Sequence, residues 1–150
     1  MQPTNQNDLQ ARIAIRFRMI LVLWSALFLS IGLYYVMTLL IHPSQDPGQN
    51  RTLSAVFAVV GSILVIISVP VKQKYLTQSV EQQRLELVQT GYVLACALCE
   101  AAAMLGLLDY FVTGNRYYYV LFIIAGCGML LNFPRRQHVQ DACFKEGRSF

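Results

Sequence analysis

The sequence predicts an all-α membrane protein of four transmembrane helices, arranged as two tandem parallel helical hairpins. Composition comes first. Of 150 residues, 55% are hydrophobic and only 13% charged, too apolar for an ordinary soluble domain of that length. Distribution comes second: the apolar residues gather into four blocks, at about 19–41, 53–71, 88–112 and 117–133. A bilayer core of roughly 30 Å needs about 20 apolar residues at 1.5 Å rise each, which every block approaches. The third observation is a faint internal repeat. Val22–Leu27 aligns with Val93–Leu98 at an offset of 71, and Val69–Gln73 with Phe133–Gln137 at an offset of 64. The outer loops absorb the difference of seven, because His42–Thr52 is that much longer than Thr113–Arg116.

Residues 1–18 form an amino-terminal segment, in which 1–8 read as disordered and Asn7 or Asp8 as the N-cap of an amphipathic lead-in carrying Leu9, Ile13 and Arg16. The membrane domain is 19–134. Its first block is longer than a secretory apolar core and lacks a small-x-small cleavage pattern before His42, so it reads as a retained span. A turn-rich connection follows, from His42-Pro43 to Pro47-Gly48, ending in the sequon Asn50-Arg51-Thr52. The second block ends at a Pro70-Val71-Lys72-Gln73 stop. Residues 73–89 are polar but lack Gly and Pro, which suits helix, so the third span begins before its apolar block. Thr113-Gly114-Asn115 is a tight turn into the fourth block, and residues 135–150 are a basic tail. Helix is the forced conformation of each block, since in lipid the backbone must be satisfied within the segment.

Ten basic residues fall on one side of this topology: Arg12, Arg16, Arg18, Lys72, Lys74, Arg84, Arg135, Arg136, Lys145 and Arg148. The other side holds only two, Arg51 and Arg116. The positive-inside rule then puts both termini in the cytoplasm, with the bacterial inner membrane as the expected location. The pI near 9.0 is thereby a topogenic signal, and no nucleic-acid partner is implied. Tyr34, Tyr35, Tyr117, Tyr118 and Tyr119 are expected at the outer interface, where amphipathic rings are favoured.

Glu100 carries the most information, because it stands about 12 residues from either end of the third block. A charge at mid-bilayer costs ~2.5–3.5 kcal/mol on insertion scales and marks function by default. It serves either as a proton or cation carrier or as a hydrogen-bonded contact between helices. At roughly 100° per residue, Gly91, Ala95, Cys99, Ala102 and Gly106 share one narrow face, a small-xxx-small seam for close packing. Glu100 points away from that seam, with Val93, Cys96, Ala97, Met104 and Leu107, and so is expected to face a second interface, a partner subunit or lipid. Asp109, near the outer end, is a salt-bridge candidate for Arg116 or Arg51.

The run from Val88 to Leu108, with Ala97-Leu98-Cys99-Glu100-Ala101 followed by Gly106-Leu107, resembles the ion-carrying helix of rotary ATPase c subunits, the proteolipids. The resemblance covers 21 of 150 residues and implies that Glu100 carries a proton or cation. Three departures accompany it: Leu53–Val71 holds only Gly61 where that family's partner helix is glycine-rich, two further helices flank the match, and the repeat places Leu29 opposite Glu100.

Cys96-x-x-Cys99 lies in mid-membrane, where cysteine serves as a small apolar residue. Cys127 and Cys143 offer no disulfide on the outer side, and His42 and His138 lie on opposite sides and cannot share a metal. No nucleophile–base pair, phosphate loop, metal cluster or cofactor motif is legible, so no enzyme is expected. The expected partners are the lipid bilayer and other membrane subunits or a homo-oligomer. Two function classes follow: a non-catalytic accessory or assembly subunit, and a proton- or cation-translocating protein using Glu100. A small multidrug transporter ranks third, because in that family the intramembrane Glu lies in the first helix.

Overall fold

A computed structural model describes residues 6–41, 50–82, 85–114 and 116–134. They form four α-helices: α1 (Gln6–Leu40), α2 (Arg51–Gln82), α3 (Leu85–Thr113) and α4 (Tyr119–Leu131). Each apolar block of the sequence nucleates one of them. Three contain stretches long and apolar enough to cross a membrane, Ala14–Leu40, Arg51–Ser79 and Leu87–Thr113.

The fourth corrects the expectation of four full spans. α4 has 13 residues, about 20 Å of helix against a bilayer core of roughly 30 Å. Residues 116–118 are a turn, not a first helical turn, and Tyr118 at the N-cap makes no side-chain capping bond. At the other end Asn132 departs from helical geometry with φ −88° and ψ 14°. Pro134 follows two residues later and disfavours helix at the residue before it.

Elsewhere the helices outrun the apolar blocks. α1 begins at Gln6, so Asn7 and Asp8 lie inside the helix and neither is its N-cap. α2 does not stop at Pro70 but continues through it to Gln82. The proline removes one i→i−4 bond, a loss that membrane helices tolerate when neighbours brace them. Here the brace is α3, which packs along α2 with Cys99 beside Ser68 and the Tyr92 ring beside Lys72. The polar middle segment is helical on both sides of residues 83–84, which lie outside the described residues, as do 1–5, 42–49, 115 and 135–150. Gly114 ends α3 in the left-handed region at φ 61°, its N–H bonded to the carbonyl of Tyr110 at 3.1 Å, the αL cap that glycine favours.

α3 is the central helix and packs against each of the other three. Its small residues permit this: Ala95, Cys99, Ala102 and Ala103 are wholly buried, against Val65 of α2, Phe122, Ala125 and Met129 of α4, and Ile31 of α1. α1 and α3 run parallel at matching depth, since Ser30 and Tyr34 meet Glu100 while Tyr110 meets Ile41. α2 and α4 also run parallel, with Ser68 bonded to Asn132, 64 residues on. That separation equals the second repeat offset, and the α1–α3 separations lie close to the first. The outward faces are apolar, with Leu29, Leu33, Ile66, Ile123 and Leu131 among the exposed side chains. Such a surface places the chain in a membrane.

Candidate functional site: an intramembrane carboxylate between α1 and α3

Glu100 lies half-buried near the middle of α3. Its Oε1 accepts two hydrogen bonds from α1, from Ser30 Oγ at 2.7 Å and Tyr34 Oη at 3.1 Å. Ser30 and Tyr34 are four residues apart, so one face of α1 presents both hydroxyls to one oxygen. The single hydrogen of Ser30 is shared, because the carbonyl of Leu27 also lies 2.7 Å from Oγ. Among the described residues Oε2 has no hydrogen-bond donor. Of the surroundings expected for Glu100, a second interface, a partner subunit or lipid, the structure shows the first: its donors belong to α1 of the same chain. Helical angle alone showed that Glu100 points away from the seam, but not that α1 fills that direction.

The same contact draws in Tyr34, which the sequence expects at the outer interface with Tyr35: its side chain is half-buried and its hydroxyl reaches the Glu100 carboxyl. Sequence reasoning missed both donors. A signal existed, since the repeat puts Leu29 opposite Glu100 and Ser30 is the next residue.

The seam residues all turn inward. A Cβ on Gly91 would stand 2.7 Å from Tyr75 Cβ, and one on Gly106 3.1 Å from Leu121 Cβ. Gly91 thus lies against α2 and Gly106 against α4, while Ala95, Cys99 and Ala102 are fully buried between them. Cys99 joins a buried polar cluster. Its thiol donates to Ser68 Oγ at 3.6 Å, and Asn132 Nδ2 donates to Ser68 Oγ at 3.0 Å. Cys96 is buried on the α1 side, beside Ile20, Trp24 and Tyr92. Among the described residues no group of three metal-ligating side chains forms.

Beside this cluster Lys72, counted in the sequence as a topogenic charge, is only 9% exposed. Its Nζ donates to the carbonyl of Leu131 at 3.2 Å and stands 5.6 Å from the centroid of the Tyr92 ring. It thereby satisfies a carbonyl at the end of α4, where the helix dipole favours a cation. Trp24 ties α1 to the same end of α4, its Nε1 donating to the carbonyl of Met129 at 3.0 Å.

Asp109 is 1% exposed within the bundle. Thr113 Oγ1 donates to its Oδ1 at 2.7 Å and Ser54 Oγ to its Oδ2 at 3.2 Å. Arg116 and Arg51, its candidate partners from the sequence, both have exposed side chains. The hydroxyls that hold Asp109 come from α3 itself and the start of α2, neither singled out by the sequence. Glu100 and Asp109 stand nine residues apart on α3, half a turn out of phase, so each ties the central helix to a different neighbour.

No protein-family model, curated protein or solved structure matches the chain.

Proposed function

We propose that this chain is a non-catalytic membrane subunit, which packs into a larger membrane complex or a homo-oligomer and uses Glu100 as an interhelical clasp. The observation that supports this most is the pair of hydroxyl donors from α1 on one Glu100 oxygen. A polar group in lipid is stabilised when it is hydrogen-bonded within the protein, and such contacts between membrane helices contribute about 0.6–2 kcal/mol. Glu100, Asp109 and the Ser68–Asn132 pair then fix the arrangement of four helices whose apolar outer faces meet lipid or partners. The ten-to-two distribution of basic residues supports an orientation with both termini in the cytoplasm, and the membrane proposed is a bacterial inner membrane.

A second reading rests on the other oxygen. Oε2 has no hydrogen-bond donor among the described residues, and Glu100 is flanked on its helix by the exposed Ala97 and Met104. A carboxyl with one oxygen held and one open can take up a proton or cation, as the resemblance to proteolipids implies.

Two substitutions separate these roles. Glu100→Gln keeps a carbonyl for Ser30 and Tyr34 but cannot titrate, whereas Glu100→Leu strands both hydroxyls. The clasp reading expects Gln to match wild type in oligomer size and thermal stability, Leu to lose ~1–3 kcal/mol, and none of the three to pass protons. The measurement is size-exclusion chromatography with proton flux into proteoliposomes under an imposed potential. Wild-type flux above protein-free vesicles that disappears in Glu100→Gln would instead establish the carrier role.

A further inference from the structure

An open crevice of about 1180 Å³ runs beside the amino-terminal half of α1. Its wall is apolar along Ile15, Met19, Val22 and Ala26, and two polar side chains also line it, Arg18 of α1 and Gln89 of α3. From Arg18 to Ala26 the wall extends about 12 Å along the helix axis. Arg18 is exposed and Gln89 half-buried. Neither side chain has a hydrogen bond or ion pair among the described residues, although both lie where the apolar part of α1 begins.

We propose that this crevice binds one anionic phospholipid. The guanidinium offers planar, charge-assisted donors to a phosphate diester, and the Gln89 amide offers two further donors from a different helix. The acyl chain lies along Met19, Val22 and Ala26. Charge complementarity selects the headgroup, because a cation at the edge of an apolar wall leaves a zwitterionic lipid's own cation opposed to Arg18. Basic sites between membrane helices recognise lipid headgroups in this way. The site shares no residue with the Glu100 clasp and stands independently of it.

The test is native mass spectrometry of the full chain in neutral detergent, titrated with dioleoyl phosphatidylglycerol or dioleoyl phosphatidylcholine. Wild type retains one phosphatidylglycerol per chain in preference to phosphatidylcholine. Arg18→Gln weakens that retention about tenfold, the loss of one charge-assisted contact. Ala26→Phe, which fills the wall without touching the charge, weakens it as well. Lys74→Gln, an exposed cation on α2 outside the crevice, leaves retention unchanged. Equal retention of both lipids overturns the proposal, and so does a loss in Lys74→Gln as large as in Arg18→Gln, which marks diffuse attraction to the basic end. Circular dichroism of each variant verifies that the helices persist.

Discussion

A methyl group added at Gly91 and the same methyl added at Gly32 should have opposite consequences. Built on Gly91, a Cβ stands 2.7 Å from Tyr75 Cβ and 3.7 Å from the carbonyl oxygen of Lys72. Carbon atoms prefer about 3.5–4.0 Å, so α2 and α3 must separate by roughly 0.8 Å at that level. The first obstacle is a Cβ, which is fixed to the backbone and cannot swing aside. A gap of 0.5–1 Å forfeits about a quarter to a half of each neighbouring dispersion contact, and overpacking of this kind costs ~1–3 kcal/mol. Built on Gly32, a Cβ has nothing within 4 Å. Both substitutions gain the ~1 kcal/mol by which alanine exceeds glycine in a helix, so their difference isolates the packing cost. The two variants are expected to differ by ~2 kcal/mol, or about 4–8 °C in melting midpoint for a chain of this size, with Gly91→Ala the lower. The assay is thermal unfolding in detergent followed by the fluorescence of Trp24, the single tryptophan. Equal midpoints would refute the close approach of α2 to α3 that centres the whole bundle on α3.

Two other substitutions address separate contacts, and a reporter fusion tests orientation. Lys72→Met retains the apolar stem but strands the Leu131 carbonyl, and is expected to cost ~1–3 kcal/mol, read as a lower melting midpoint. If that midpoint is unchanged, Lys72 matters for topology alone. Trp24→Phe removes the donor to Met129 and should cost ~1 kcal/mol; the readout is protease sensitivity at the Phe133 end of α4, which stays at the wild-type level if α1 does not hold that end. For orientation, a reporter active only outside the cytoplasm should be active when fused after Gln45 and silent after Gln82 or at the carboxyl terminus. Activity at Gln82 would reverse the assignment.

The sequence by itself determined the class and the number of helices. Four apolar blocks, two parallel offsets and an intramembrane Glu100 are one-dimensional features, and in lipid they leave the backbone no alternative to helix. Small-residue spacing on α3 likewise located its packed face, because a period of 3.6 fixes which residues share a side. Tertiary structure decided what stands opposite each face. The length of α4 depends on a turn at 116–118 and on the exit at Asn132, where Lys72 from another helix takes a carbonyl. The passage of α2 through Pro70 depends on α3 bracing it. Glu100 Oε1 is bonded by Ser30 and Tyr34, and the Asp109 carboxyl by Ser54 and Thr113, pairs of which all but Asp109–Thr113 span more than 50 residues. A helical wheel gives the direction in which a side chain leaves its own helix. Which helix receives it is set by the packing of all four, in which the small residues of α3 let three neighbours approach and so bring those hydroxyls within hydrogen-bond distance.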